Sequence, residues 1–293
     1  MTRTIVTEHL MAYHEYLLRE EKSMATIEKY IRDTHIFVNF VGDREVRKEI
    51  TVDFKKALEE QKYAVRSINS MLASLNSFLS FLGWTDCKVK TLRCQKEVYC
   101  SEDKELRKDE YMRLLSASQK QQQLNLIMQT ICSTGIRVSE IKYFTVESVT
   151  RGEVVVQCKN KIRTILIPSK LRKLLLQYAK QRHITKGAIF VSKNGNPIDR
   201  STIWAKMKKL CKVADVNPAK VFPHNLRKLF ARTFYTKEKD IAKLADILGH
   251  ESIETTRIYI MTTSNEHLRK IERLGLVVDL QNRYSQSDLA GCL

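Results

Sequence analysis

The fold class is decided by residues 153–168, which read EVVVQCKNKIRTILIP. Two runs of β-branched residues, EVVVQ and IRTILIP, flank a basic turn at 158–161, a pattern typical of an antiparallel hairpin. No other stretch of the chain shows a clear strand pattern. We therefore predict a mainly α-helical protein with one small antiparallel β-sheet.

The sequence on either side of the hairpin predicts two domains. Residues 7–84 repeat apolar side chains every three or four positions, as amphipathic helices do, and the last of these helices is predicted at 66–82. Residues 88–108 are polar and charged and fit no amphipathic period. We expect an N-terminal helical domain at 1–87, an interdomain linker at 88–108 and an α+β domain at 109–293.

Composition indicates the class of partner. The chain has 51 lysines and arginines against 33 aspartates and glutamates, a formal net charge of +18. Nucleic acid is the polyanion that would best offset this charge, although some basic proteins use it only to stay soluble. No apolar run is long enough to span a bilayer, and residues 1–8 lack an apolar signal core, so we expect a cytoplasmic protein with no membrane partner.

The cysteines and the usual nucleotide or hydrolase motifs exclude several kinds of site. The seven cysteines form an odd set with no C-x-x-C pair, which argues against a disulfide framework and against a zinc site. No P-loop, H-E-x-x-H or G-x-S-x-G motif occurs. We therefore expect neither a metal nor another cofactor.

Three short motifs in the C-terminal half carry residues suited to phosphoryl transfer. They are TGIRVSE at 134–140, PHNLR at 223–227, and LGH at 248–250, which Tyr259 follows nine residues later. Arg137 and Arg227 could grip phosphate oxygens bidentately and keep their charge. Tyr259 could attack a phosphorus and form a diester that a DNA hydroxyl can reverse, so no ATP is needed. A lysine in the hairpin turn, Lys159 first and Lys161 second, could protonate the leaving oxygen.

Local signals predict how these motifs are held. If Pro223 opens a helix, His224 and Arg227 share one face of its first turn. Gly249 is a suitable cap for the end of a helix at 239–248 and leaves His250 at that end. Ser252 could cap the next helix, which would carry Tyr259 about two turns in.

In this order the motifs resemble the tyrosine recombinase (phage integrase) family. The boxes G-[IL]-R-[VI]-S-E, P-H-x-L-R and L-G-H-x-x-x-x-T-T-x-x-Y match at 135–140, 223–227 and 248–259, and the resemblance covers most of the chain. Two-domain Xer-like or transposon-integrase-like members are the most similar. Two positions depart from the family pattern: Lys228 stands where members commonly have histidine, and the hairpin turn K-N-K-I-R is short, which leaves both Lys159 and Lys161 open as the general acid.

The resemblance implies a site-specific recombinase that cleaves and rejoins DNA through a 3′-phosphotyrosine and a four-way junction. The catalytic set it implies is Arg137, Lys159, His224, Arg227, His250 and Tyr259, with Glu140 orienting Arg137. In that set the arginines clamp the scissile phosphate, the lysine is the general acid, and the tyrosine attacks. The first histidine assists proton transfer at the tyrosine, and the second bonds a phosphate oxygen.

The resemblance also implies partners. The N-terminal helices resemble the family's core-binding (SAM-like) domain, in which Arg66, Ser67 and Asn69 would contact DNA. Lys161 and the lysine-rich helix at 204–212, with Lys206 and Lys209, are further candidates, although that helix could also be only a solvated face. Double-stranded DNA with inverted-repeat core sites is the expected substrate of a homotetramer. The apolar tail after Tyr259, with Leu268, Ile271 and Leu274, would dock on a neighbouring protomer.

Two other functions fit parts of the sequence. A DNA-binding protein that has kept the fold but lost catalysis would bind a site without forming a covalent adduct. An enzyme similar to type IB topoisomerases would relax supercoiled DNA without needing a specific site.

Overall fold

The computed structural model describes residues 3–93, 102–158, 161–261 and 264–277. Backbone contacts divide the chain into two compact units, Met1–Lys96 and Glu97–Leu293. The division falls within the stretch predicted as the linker, and a helix already begins at Lys108, the last residue of that stretch. The domain boundaries given above stay predictions.

The first unit is helical throughout its described part. Its helices are α1 (Thr7–Arg19), α2 (Met24–Val41), α3 (Lys48–Glu60) and α4 (Val65–Phe81), followed by a 3₁₀ turn at Thr85–Cys87. The predicted 66–82 helix thus begins and ends one residue earlier than expected. Buried apolar residues of α2, α3 and α4, among them Phe37, Phe54 and Leu72, form the larger of its two cores. The helical prediction for this half is confirmed.

The buried polar side chains among these helices include the carboxylate of Asp33. The Asp33 carboxylate accepts hydrogen bonds from Lys29 Nζ (2.6 Å) and Ser74 Oγ (2.9 Å), and its other oxygen accepts from Arg32 Nη2 (3.1 Å). Lys29 also donates to Ser74 Oγ at 3.0 Å. We call these four residues the Asp33 cluster, and it ties α2 to α4.

In its described part, the second unit consists of helices around one hairpin. The elements are α5 (Lys108–Ala117), α6 (Gln122–Thr134), a 3₁₀ segment (Val138–Tyr143), α7 (Val146–Arg151), β1 (Glu153–Cys158), β2 (Lys161–Leu166), α8 (Ser169–Gln181), α9 (Arg200–Ala214), α10 (Pro223–Glu238), α11 (Ile241–Leu248), α12 (Ile253–Ile260) and α13 (Ser264–Glu272). Helices α6 and α10 pack against each other, and α11 and α12 pack against α10. A mainly helical fold with one small sheet is confirmed.

The hairpin has the expected antiparallel register, with Glu153 opposite Leu166 and Val156 opposite Arg163. Its turn differs from the prediction. Pairing continues to Cys158 and Lys161, so both residues belong to strands and the turn is shorter than the predicted 158–161. Lys159 and Asn160 lie outside the described residues.

The helix boundaries near the predicted motifs follow the local signals. Gly135 and Gly249 adopt left-handed conformations at the ends of α6 and α11, with φ of 67° and 64°. Pro223 occupies the first turn of α10, and the Ser252 side chain accepts a hydrogen bond from the Glu254 backbone at the start of α12. The predictions for Pro223, Gly249 and Ser252 are confirmed. Within the described residues, no helix is long and apolar enough to cross a membrane.

Candidate active site

Three arginines from different elements meet at the C-terminal end of α11. Each donates to one of three successive backbone carbonyls, those of residues 247–249. The pairs are Arg163 Nη1 to Ile247 at 2.6 Å, Arg227 Nη2 to Leu248 at 2.7 Å, and Arg137 Nη2 to Gly249 at 3.3 Å. The last carbonyls of a helix lack intrahelical partners and carry partial negative charge, so this helix end is suited to hold cations.

Gly249 is required where these contacts are made. Its φ of 64° is one that side chains with a Cβ rarely adopt, and a Cβ at this position would lie 2.6 Å from Arg163 Cδ. A larger residue would both strain the turn and displace the arginine. The glycine that ends the helix therefore also makes room for the arginine side chain.

Glu140 joins two of the three arginines. Its buried carboxylate accepts from Arg137 Nη1 at 3.1 Å through one oxygen. The other oxygen accepts from the Arg137 backbone N–H at 2.7 Å and from Arg163 Nη2. One carboxylate thus fixes both the backbone and the guanidinium of Arg137, the contact that the predicted orienting role of Glu140 requires.

Arg227 is the most deeply buried of the arginines, with 1% of its surface exposed. Its Nη1 donates to the Gly135 carbonyl and its Nη2 to Leu248, so it bridges the ends of α6 and α11. Within the described residues its buried Nε has no hydrogen-bond partner. Burial, and secondarily the charge of Arg137, lower the pKa of Arg227 to about 10, so the guanidinium is still charged at neutral pH.

Tyr259 lies against this cluster. Its ring centroid is 5.1 Å from that of His224 and 4.8 Å from that of His250, and the Arg227 guanidinium carbon is 5.8 Å from the tyrosine ring centroid. The structure therefore brings together five of the predicted site residues: Arg137, His224, Arg227, His250 and Tyr259.

Both histidines are shifted toward their neutral forms. Burial lowers the pKa of His250 to about 4, assisted by the charge of Arg227. The pKa of His224 is lowered too, mainly because part of the side chain is buried and secondarily by the charge of Lys228. The residue is still partly exposed to solvent. Neutral imidazoles can accept protons, which is what assistance at a tyrosine hydroxyl requires.

The two candidate general acids are less well defined. Lys159 lies outside the described residues. Lys161 is in β2, where its backbone pairs with Cys158, and the structure describes no more of it. The choice between the two lysines stays open.

Arg163 was missed by the sequence analysis. In a strand, alternate residues share a face, and Ile165 and Ile167 are buried, so the same alternation places Arg163 on the inward side. An arginine at an inward position of a β-branched strand is a signal that a buried anion or acceptor lies opposite. The sequence contained this signal.

The predicted DNA contacts are only partly free to bind DNA. Arg66 and Ser67 are exposed in the first turn of α4, and Lys209 is exposed on α9, where Lys206 is half-buried. The Asn69 side chain has an internal partner instead, because its Nδ2 donates to the Leu92 carbonyl (2.9 Å) and its Oδ1 accepts from the Leu92 N–H (2.7 Å). The Asn69 side-chain amide therefore fixes the backbone at Leu92, after the last helix of the first unit.

The described residues contain no group of three or more histidine, cysteine, aspartate or glutamate side chains arranged to hold a metal ion. The groups that the site offers are guanidiniums, imidazoles and a phenol. Fixed guanidiniums can hold a phosphate group, and a phenol among them can act as a nucleophile toward it.

Comparison with known proteins gives a family match over both units. Residues 104–266 match the phage integrase family, and residues 10–86 match the phage integrase N-terminal SAM-like domain. The chain is 29% identical to tyrosine recombinase XerA of Pyrococcus furiosus over 288 residues, covering 95% of this chain and 98% of the relative. It is 30% identical to XerA of Pyrococcus horikoshii over 278 residues, covering 92% and 94%. A lambda integrase tetramer bound to a Holliday junction has the same fold, with a TM-score of 0.68, 16% identity, and coverage of 87% of this chain and 77% of that one.

Proposed function

The chain belongs to the phage integrase family of tyrosine recombinases, and we propose that it cleaves and rejoins DNA at specific sites through Tyr259. The observation that carries this proposal is the position of the Tyr259 ring between His224 and His250 and beside Arg227. A phenol surrounded by fixed cations is where a phosphodiester could be held and attacked. The other residues of the site follow from that reaction.

In the proposed reaction, the Tyr259 oxygen forms a bond to the scissile phosphorus as the bond from phosphorus to the DNA 5′-oxygen breaks. Arg137 and Arg227 stabilise the charge that develops on the non-bridging oxygens. His224, held neutral by its surroundings, receives the tyrosine proton. The second step reverses the first: a 5′-hydroxyl attacks the phosphotyrosine and releases Tyr259, so bond energy is conserved and no cofactor is consumed.

Glu140 and Arg163 would act on Arg137 without touching DNA. Glu140 fixes the Arg137 guanidinium, and Arg163 fixes Glu140 from the opposite side. Support of this kind keeps the Arg137 guanidinium, which would bind the phosphate, in position beside the reacting phosphorus. Misplacement of such a group by one ångström can lower the rate by about a hundredfold. We propose that both residues are positioning residues.

The nucleophile can be tested directly. A duplex selected from random DNA by its binding to the protein, and nicked near the cleavage point to trap the intermediate, should give a detergent-resistant protein–DNA adduct. Tyr259→Phe should abolish the adduct and leave binding unchanged. Tyr235→Phe, a half-buried tyrosine on α10, is the matched control and should behave as wild type.

The outcomes separate the competing functions. Tight binding of the selected duplex with no adduct from the wild-type protein would indicate a DNA-binding protein without catalysis. Relaxation of supercoiled DNA that lacks the selected sequence would indicate a topoisomerase. An adduct that survives Tyr259→Phe would remove Tyr259 from the reaction.

The leaving 5′-oxygen needs a proton, and we propose Lys159 as its donor, with Lys161 as the alternative. A substrate with a bridging 5′-phosphorothiolate needs no acid, because a thiolate leaves without protonation. The variant of the true donor should cleave this substrate at close to the wild-type rate and the ordinary phosphodiester far more slowly. A variant that is equally slow on both substrates has lost some other contribution.

We propose double-stranded DNA with inverted-repeat core sites as the substrate and the cytoplasm as the compartment in which the protein acts. We assign backbone contacts to Arg66, Ser67, Lys206 and Lys209, and leave Asn69 out because its amide is bound to Leu92. Replacing Lys209 with alanine should weaken binding to all sequences alike and lower the slope of log affinity against log salt by about one. A sequence-dependent loss would instead indicate that this lysine reads bases.

We propose that four protomers assemble on two duplexes and that α13 docks on a neighbour. Leu268, Ile271 and Leu274 lie on this tail with 51–62% of their surface exposed. Glu266, on the same helix, pairs with Arg232 of α10 at 2.9 Å, so the polar contacts of α13 are with its own protomer. An exposed apolar stripe next to this ion pair is suited to pack against a second copy of the protein.

The tail can be tested by changing its apolar stripe alone. The double change Leu268→Ser and Ile271→Ser should preserve binding of one protomer to a half-site but prevent complexes that hold two duplexes, measured by sedimentation. Lys270→Ser on the same helix is the control. Unchanged assembly in the double variant would exclude this docking surface.

A further inference from the structure

The two nitrogens of His250 have different partners. Nε2 lies 2.9 Å from Arg227 Nη2, and Nδ1 lies 2.9 Å from the hydroxyl oxygen of Thr256. A guanidinium can only donate, so Nε2 accepts as long as this contact is made. In a neutral imidazole the other nitrogen then carries the proton, and Nδ1–H donates to Thr256.

Charged and titratable groups face His250 from every element packed around it. They are Arg227 and His224 of α10, Arg137 immediately before the 3₁₀ segment, Arg163 of β2 and Tyr259 of α12. The arginines oppose a proton on the imidazole, and its pKa of about 4 keeps it neutral at pH 7. In this surrounding, the position of the single ring proton depends on which neighbours can accept it.

Thr256 is fully buried, one turn before Tyr259 on the same helix. Among the described contacts of His250, the Thr256 hydroxyl is the acceptor for Nδ1–H, whereas the contact at Nε2 is with a donor. Because α12 also carries Tyr259, the hydroxyl that orients the imidazole and the proposed nucleophile lie on one rigid element.

We propose that Thr256 is a positioning residue that keeps the His250 proton on Nδ1, so that the Nε2 lone pair faces the arginines. Before DNA binds, Nε2 of His250 is therefore a hydrogen-bond acceptor. The part of this inference that concerns DNA rests on the proposed function. When a phosphate oxygen replaces Arg227 as the neighbour of Nε2, a proton from solvent adds to Nε2, and the imidazolium donates to the phosphate from Nε2 and to Thr256 from Nδ1. Binding at this site thus takes up one proton.

The tautomer can be measured without DNA. With ¹⁵N-labelled histidine, the His250 signals, assigned by their loss in His250→Gln, should show protonated Nδ1 and unprotonated Nε2 at pH 7. Thr256→Val keeps the side-chain shape and removes the hydroxyl, and should shift the signals toward protonated Nε2. Thr256→Ser should restore the wild-type pattern, and Thr255→Val, an exposed neighbour on α12, should leave it unchanged.

Protonated Nε2 in the wild-type protein would overturn the proposal, and so would an unchanged tautomer in Thr256→Val. If Thr256→Val fails to fold, the wild-type and Thr256→Ser spectra still decide the question. These spectra do not depend on catalysis, so they can support the tautomer even if the proposed recombinase function fails.

A second measurement tests the link to DNA. Calorimetry of the selected duplex in two buffers of different ionisation enthalpy should show about one proton taken up near pH 6, and none in His250→Gln. Cleavage by Thr256→Val should fall by about tenfold, the lower end of what loss of a partner of this kind costs. Its rate should also depend differently on pH, while Thr256→Ser retains the wild-type profile. Equal proton uptake by wild type and His250→Gln would remove His250 as the site of protonation.

Discussion

Each unit of this protein holds a buried carboxylate, Asp33 in the first and Glu140 in the second, with cations around it, and the two clusters are closed in different ways. In the Asp33 cluster of the first unit, both oxygens of one carboxylate are bound by cations, from Lys29 and Arg32. In the second unit, the described ion pairs of Arg137 and Arg163 share the single carboxylate of Glu140, while Arg227 is held by backbone carbonyls.

The difference lies in what holds the cations. A carboxylate cancels the charge of the cation that it binds, whereas a carbonyl orients a guanidinium and leaves its charge in place. The Asp33 cluster is therefore a structural tie between α2 and α4. The arginine cluster keeps a positive field that an anionic ligand can use.

Loss of Arg227 should lower the cleavage rate more than any other change considered for the two clusters. A small effect would contradict the distinction between them. Arg227→Ala is expected to lower the cleavage rate of the selected duplex by about 10²–10³-fold, since one preorganised donor to a transition-state oxygen typically contributes that much. Arg227→Lys keeps the charge but cannot span the carbonyls of Gly135 and Leu248, so its rate should also stay well below wild type.

The matched control for Arg227 is Arg257→Ala. Arg257 is exposed on α12 and pairs with Glu254 at 2.9 Å, so its loss should leave cleavage unchanged. Circular dichroism of each variant would show that the fold is kept. Wild-type cleavage by folded Arg227→Ala would contradict the role of the arginine cluster.

Asp33→Ala should have the opposite profile: a large effect on stability and none on the chemistry. It leaves Lys29 and Ser74 without their shared partner, and breaking a buried pair costs about 3 kcal/mol in the free energy of unfolding. Urea denaturation measures this loss, while cleavage per folded molecule should stay at the wild-type level. Asp53→Ala, which breaks an exposed pair with Lys56, should change stability by less than about 0.5 kcal/mol.

Two glycines, one in each unit, differ in the space around them, and this difference gives a further test of the two units. Gly83 and Gly249 both have positive φ, but a Cβ at Gly83 would meet nothing within 4 Å, whereas one at Gly249 would meet Arg163 at 2.6 Å. Gly83→Ala should cost only the strain of the left-handed conformation, about 1 kcal/mol. Gly249→Ala should cost about 2 kcal/mol, because overpacking adds to the strain, and should also slow cleavage. Equal costs would mean that Arg163 is free to move aside.

Acid pH should have the smallest effect, and it should act on the second unit. The pKa of His250 is about 4 in the folded protein against an ordinary value of 6.5, so the unfolded chain binds the proton more readily. Its contribution to stability is thus fully present above pH 6.5 and is lost as pH falls toward 4. Between pH 7 and 5 this loss should be about 1 kcal/mol, allowing for the partial exposure of the ring. Urea denaturation of His250→Gln should show a weaker pH dependence than wild type, and an identical one would contradict the assignment.

Local sequence signals predicted much of the site. Gly135, Gly249, Pro223 and Ser252 fix where helices begin and end, and these preferences depend on the residue and its immediate neighbours. Because the helix ends were placed correctly, the prediction that His250 stands at the end of one helix and Tyr259 two turns into the next followed from spacing alone. Which side chains the structure brings together was implied by the resemblance of the three motifs to the family.

Contacts that depend on tertiary packing were not predictable in the same way. Nothing near Leu92 indicates that it is bound by Asn69, because the two are joined only when the chain folds back on α4. Apart from Glu140, the partners of the arginines are backbone carbonyls, which every residue has, so no residue type marks them. Arg163 is the exception, since the alternation in its own strand placed it inward.

The supports of the three arginines at residues 247–249 are main-chain atoms, and this has an evolutionary consequence. A point mutation can remove a carboxylate, but it cannot remove a peptide oxygen. Genetic drift at Ile247 or in the surface of α11 can therefore proceed without loss of these acceptors, provided that the helix still stops at Gly249. Among the residues that supply these carbonyls, selection should then act most strongly on Gly249.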